Sequence, residues 1–104
     1  MVEYTLQLDS IFSSLADPIR RDMLARVARA ELSVGELVKS YDISFAAISK
    51  HLKVMENARL ITKRKEGRKQ MVSIAPGALK SADEYLEQYR QMWQSRYDKL
   101  DQLL

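Results

Sequence analysis

Eight lysines and arginines crowd residues 44–75: Lys50, Lys53, Arg59, Lys63, Arg64, Lys65, Arg68 and Lys69, against only Glu56 and Glu66. That window carries +6, while residues 1–43 carry −2 and residues 76–104 carry −1. A compact cationic stretch between mildly acidic ends is the footprint of a polyanion site, because each cation placed on a phosphate releases a condensed counterion. A solvated basic face would show the same charges, so the scaffold has to decide between the two. Other chemistry is scarce. The chain has no cysteine, which removes disulfides, thiolate metal sites and a cysteine nucleophile. His51 is its one histidine, so a zinc ion would have to rest almost wholly on carboxylates. Ser49 and His51 stand at i and i+2 and do not face each other on a helix, so they form no nucleophile–base pair. His51 reads instead as a residue bonding to backbone or phosphate. No catalytic residue, no metal and no cofactor are expected.

The 104 residues suit one domain, and a domain this small gains from oligomerising. Apolar residues make up 46% and charged residues 30%, a globular balance. No apolar run approaches the roughly 18 residues of a membrane span, and no signal-peptide pattern opens the chain, so a cytoplasmic location is expected. Three glycines and two prolines leave room for mostly helix.

Leu8, Ile11, Phe12 and Leu15 keep helical spacing behind Asp9-Ser10 and predict a short helix over about residues 8–15. Asp17 then offers an N-cap, and Pro18 suits the first helical position, where its missing N–H has no partner to lose. Ile19, Met23, Leu24 and Val27 make one face of that second helix. Ser33 and Glu36 have the spacing of a capping box and open a short third helix. Tyr41-Asp42-Ile43-Ser44 reads as a turn, with Ser44 as the next cap. Phe45, Ile48, Leu52, Met55 and Leu60 then keep helical spacing. Two such helices around a tight turn, over about residues 33–59, are a helix-turn-helix candidate. The polar side of the second holds Ser44, Ala46, Ala47, Ser49, Lys50 and Lys53. Such small, donating and cationic residues suit a helix lying in a major groove, where bulky apolar groups do not fit and acids meet phosphate.

The period changes after Leu60. Ile61–Glu66 and Lys69–Ile74 flank Gly67-Arg68, a hairpin signal with a type II′ turn. Five cations between Lys63 and Lys69, including Lys65 and Arg68, place this wing (about residues 61–74) against phosphate or a minor groove. Beyond Pro76-Gly77, residues 78–104 contain no breaker. Leu79, Ala82, Leu86, Tyr89, Trp93, Tyr97, Leu100 and Leu104 advance by threes and fours, close to a heptad seam. A helix of about 26 residues would run near 40 Å, beside a body whose radius of gyration should be roughly 13 Å. The seam therefore predicts packing on a second chain, most simply a twofold dimer. Met23, Met55, Met71 and Met92 read as core filler. The fold class expected is mainly α with a small β-hairpin: a winged helix-turn-helix with a long C-terminal dimerisation helix.

At this point residues 8–75 resemble the ArsR-type winged-helix repressors of bacteria and archaea. Leu15-Ala16-Asp17-Pro18-Ile19-Arg20-Arg21 resembles that family's entry to its second helix. Ser44 through Leu60, centred on Ile48-Ser49-Lys50-His51-Leu52-Lys53, resembles its recognition helix. Arg64-Lys65-Glu66-Gly67-Arg68-Lys69 resembles its wing. The resemblance implies a homodimer built from the first and last helices, binding palindromic operator DNA and repressing transcription. It places Ser44, Ala46, Ala47, Ser49, Lys50 and Lys53 on DNA-facing positions, with Lys65, Arg68 and Lys69 on the wing; the wing's charge adds Lys63. The ends of the chain match the family only in kind, so the apolar stripes as much as the resemblance assign the dimer contact to Leu8, Ile11 and Phe12 together with Leu86, Tyr89, Trp93, Tyr97 and Leu100.

Ser33-Val34-Gly35 stands where metal-sensing relatives carry Cys-X-Cys. Asp83, Glu84 and Glu87 on the last helix have no histidine beside them. Both of the family's metal sites are thus absent from the sequence, as is thiol redox sensing. That leaves an organic small molecule, a protein partner or concentration alone as the effector. A protein-binding winged helix without DNA is the alternative function. An enzyme would need a polar pocket of acid and base groups that the sequence does not offer.

Overall fold

In the computed structural model, which describes residues 2–103, the elements run α1 (Val2–Leu15), α2 (Pro18–Arg29), β1 (Leu32–Ser33), α3 (Val34–Ser40), α4 (Phe45–Asn57), β2 (Ile61–Glu66), β3 (Lys69–Ile74) and α5 (Pro76–Leu103). The expected class holds: five helices with a small antiparallel sheet and a long final helix.

Local chemistry sets most boundaries. The Asp17 carboxylate accepts from the backbone N–H groups of Ile19 (2.8 Å) and Arg20 (3.1 Å), with Pro18 in the first turn. Ser33 and Glu36 close a reciprocal capping box: the Glu36 N–H donates to Ser33 Oγ at 3.1 Å, and the Ser33 N–H to Glu36 Oε1 at 3.2 Å. Gly67 takes φ +64° at the hairpin tip, where a side chain would be strained, and Arg68 after it has negative φ, the φ signs of a type II′ turn.

Three features differ from expectation. The first helix begins at Val2 and not near Leu8; Asp9 and Ser10 lie exposed inside it, where polar side chains are tolerated. A third strand exists: Leu32 and Ser33 pair antiparallel with Val72 and Met71, giving the order β1-β3-β2. Two residues are too short to show a period. Pro76 and Gly77 form the first turn of α5 and do not precede it.

The core gathers Ile11, Met23, Leu37, Ile48, Leu52, Met55, Leu60, Ile61 and Val72, each at most 1% exposed. Ile11 is fully buried and Leu8 is 8% exposed within the single chain. Both are thereby corrected as dimer-contact residues, because α1 turns that stripe into its own domain and leaves almost no surface to bury again. Phe12 stays at the edge, its ring edge-on to Tyr85 at 5.9 Å. Met23 and Met55 fill the core, but Met92 is 55% exposed and is no filler.

Four carboxylates are held below their ordinary range. The Arg20 amide does this foremost for Asp17, the Tyr41 hydroxyl for Asp22, the Ser73 hydroxyl for Glu31 and the Ser33 amide for Glu36. Burial pushes the Tyr41 phenol up to about 12, so it remains a donor to Asp22. A carboxyl that ionises more readily in the folded chain adds stability that is complete above its unfolded pKa and is lost as pH falls through the folded value. The urea midpoint should therefore be level near neutrality and decline on acidification below about pH 4. A midpoint unchanged from pH 6 to 3 would contradict these bonds.

Candidate nucleic-acid interface

The two helices α3 and α4 meet across residues 41–44. Ser44 caps α4: its Oγ accepts from the Ala47 N–H at 3.1 Å and its carbonyl from the Ile48 N–H at 3.0 Å. Its hydroxyl proton stays free to donate. Ile48, Leu52 and Met55 anchor α4 in the core, and Ala46, Lys50 and Lys53 are exposed away from it. Ala47 and Ser49 are half-buried on the flanks. Phe45, expected in the apolar stripe, is instead 62% exposed at the first turn. It lies outside the core cluster. Leu60 does not continue the helix either. Arg59 takes φ +61°, the only positive value among described non-glycine residues, and swings Leu60 into the core ahead of β2.

His51 is held midway along this helix. Its Nδ1 lies 3.3 Å from a guanidinium nitrogen of Arg20, which also donates to the carbonyls of Ser14 (2.7 Å) and Ser13 (3.2 Å). The expected backbone or phosphate partner is replaced by a side chain that ties α4 to the end of α1. Aligned carbonyls at a helix C-terminus attract such a cation.

In the wing, Lys65, Arg68 and Lys69 are exposed, and β2 and β3 run in register from Ile61↔Ile74 to Glu66↔Lys69. Two cations are already engaged. Lys63 is only 18% exposed at its side chain and lies 3.5 Å from a carboxylate oxygen of Glu56. It therefore braces the hairpin against the end of α4, a correction to its reading as a phosphate contact. Arg64 bonds Glu31, which also accepts from Ser73, and reaches Glu66 at 3.3 Å. This cluster fixes the wing's base to the segment after α2. Nothing local announces it, because Glu31 lies 33 residues from Arg64.

The last helix leaves the body. The molecule measures 59 × 35 × 21 Å with a radius of gyration of 17.2 Å, against roughly 13 Å for a compact chain of this length. Ala78 and Ala82 are buried and Leu79 is half-buried, so the near end of the seam packs on the chain itself. Leu86, Tyr89, Trp93, Tyr97 and Leu100 are 44–63% exposed, and all of these but Leu86 line an open apolar groove with Met92 and Arg96. Leu104 lies outside the described residues. Among the described residues no group of three or more His, Asp or Glu could hold a metal ion, and no helix is long and apolar enough to cross a membrane.

A helix-turn-helix followed directly by a basic hairpin defines a winged helix-turn-helix protein. The profile described as bacterial regulatory protein, arsR family, matches residues 17–63. The HTH-type transcriptional regulator Rv2034 of Mycobacterium tuberculosis is 38% identical over 71 residues, covering 68% of this chain and 66% of the relative. The transcriptional repressor SmtB homolog of Synechocystis sp. is 36% identical, over 66% of this chain and 52% of the relative. The crystal structure of the ArsR family transcriptional regulator RHA00566 superposes with a TM-score of 0.80 at 32% identity, covering 88% of this chain and 94% of that one. The homodimeric winged helix-turn-helix domain of Mb0332 from Mycobacterium bovis shares the fold, with a TM-score of 0.69 at 20% identity over 88% of this chain and 86% of that one. The chain belongs to the ArsR family of bacterial regulatory proteins.

Proposed function

We propose that the chain is a homodimeric transcriptional repressor that binds palindromic operator DNA, acting where the chromosome lies and performing no catalysis. Residues 33–59 serve as the helix-turn-helix, 61–74 as the wing, and α1 with α5 as the dimerisation elements. One observation carries the reading: α4 exposes Ser44, Ala46, Lys50 and Lys53 opposite its buried stripe, and the exposed Lys65, Arg68 and Lys69 follow on the hairpin that Lys63 braces against the same helix. Base edges would be met by α4, with Ala47 and Ser49 at its flanks, and phosphates by the wing. The exposed half of α5 supports the dimer, as does the homodimeric state of Mb0332. Two recognition helices would then stand about 34–36 Å apart, one turn of duplex.

The salt dependence tests this. With about four phosphate contacts per subunit, log affinity should fall against log salt with a slope near −7. A flat profile would favour a protein-binding module. Lys65→Ala and Arg68→Ala should each weaken binding to every sequence alike and shallow the slope by about 2 per dimer, one contact per subunit. A change of sequence preference with an unaltered slope would contradict the wing's role.

A further inference from the structure

Phe45 stands outside the core, 62% exposed at the first position of α4. An aromatic ring left in water forgoes one of the larger burial gains available to any side chain, so its exposure calls for an occupant. Side chains on a helix lean toward its N-terminus, which carries the ring out past the Ser44 cap. Four residues on, and therefore beside it on the helix surface, stands Ser49. The Ser49 hydroxyl is half-buried but makes no hydrogen bond to another described group. Ala46 and Ala47 put only methyl groups next to the pair.

We propose that Phe45 and Ser49 together read thymine in the major groove, the ring resting on the C5 methyl and the hydroxyl donating to the adjacent O4. The inference rests on the DNA-binding reading and deepens it. Thymine alone presents a methyl group beside an acceptor on its major-groove edge; cytosine has an amino donor there and no methyl. A serine hydroxyl by itself can donate or accept and so distinguishes poorly. The apolar ring supplies the discrimination. The position suits the task, because the first turn of a recognition helix is the part that reaches base edges.

The test begins with a site selected from random duplex DNA. Each thymine is then replaced singly by deoxyuridine, which removes the methyl and keeps O4. At one thymine per half-site the wild-type protein should bind about fourfold more weakly, and about fifteenfold with both half-sites changed, the effect of exposing one buried methyl each time. Phe45→Ala should bind thymine and deoxyuridine probes alike while retaining the salt slope of the parent. Ser49→Ala should keep the preference for thymine over deoxyuridine but bind both probes about fivefold more weakly per half-site, the loss of one hydrogen bond to O4; unchanged affinity would remove Ser49 from the contact. At the same position a G·C pair should bind poorly, and 5-methylcytosine in place of its cytosine should restore part of the affinity. Wild-type protein indifferent to deoxyuridine at every position, or Phe45→Ala still preferring thymine, would overturn the proposal and leave DNA binding standing. Failure to bind any duplex would remove the DNA reading and this one with it.

Discussion

Trp93→Asp is expected to turn a dimer into a monomer and to weaken binding to a palindromic site by more than about a hundredfold, the share that linking two half-sites contributes. Trp93 sits at the middle of the exposed stripe on α5, 63% exposed, with Tyr97 at 5.8 Å between ring centroids. A tryptophan at the centre of an apolar contact is the type of residue that dominates association energy. A carboxylate there would replace the largest apolar group of the contact with a charge that has to be desolvated, a cost that Arg96 on the same groove offsets only in part. In the single chain the same position is open to water, so the aspartate should cost the fold little. That asymmetry makes the experiment clean: the circular dichroism spectrum should be unchanged while the sedimentation coefficient drops. A variant that sediments like the parent would refute α5 as the dimer contact.

The second large effect concerns a residue that the dimer does not need. Ile11→Ala should destabilise the chain by about 2–5 kcal/mol, the usual cost of emptying a fully buried aliphatic site. Against a total of about 5–15 kcal/mol for a domain, that is a severe loss. Ile11 is 0% exposed and belongs to the core cluster with Met23, Leu24 and Leu52. Phe12→Ala should cost less, because Phe12 is 37% exposed and meets chiefly the edge of Tyr85. Urea unfolding of the two variants checks the order. If Phe12→Ala proved the more damaging, Ile11 would have to be moved from the chain's own core to the interface.

These two residues stand next to each other in one helical stripe, and the stripe alone could not separate them. Apolar spacing says that a face is covered but not by what. Part of the α1 face is covered by the chain's own helices and part is left open, and the seam of α5 divides the same way: Ala78 and Ala82 are buried in the domain while Leu86 through Leu100 are not. Phe45 makes the same point from the other direction. It keeps the period of Ile48, Leu52 and Met55, yet it is 62% exposed at the first position of α4 while they are buried.

What could be read from residue order was whatever is decided within a few residues. Asp17 with Pro18, the Ser33–Glu36 box, the Ser44 cap and Gly67 at the hairpin tip each set a boundary through bonds or torsions spanning at most four positions. Their order carried the winged helix-turn-helix class and the family resemblance. Tertiary structure decided which charges and apolar groups remain available. Lys63 and Arg64 are spent on Glu56 and Glu31, Arg20 reaches across to His51, and Leu32–Ser33 finds a strand partner about 40 residues away, at Val72 and Met71. Apart from Lys63 with Glu56, those pairings join residues about 30 to 40 positions apart, and only the packed core brings them within reach.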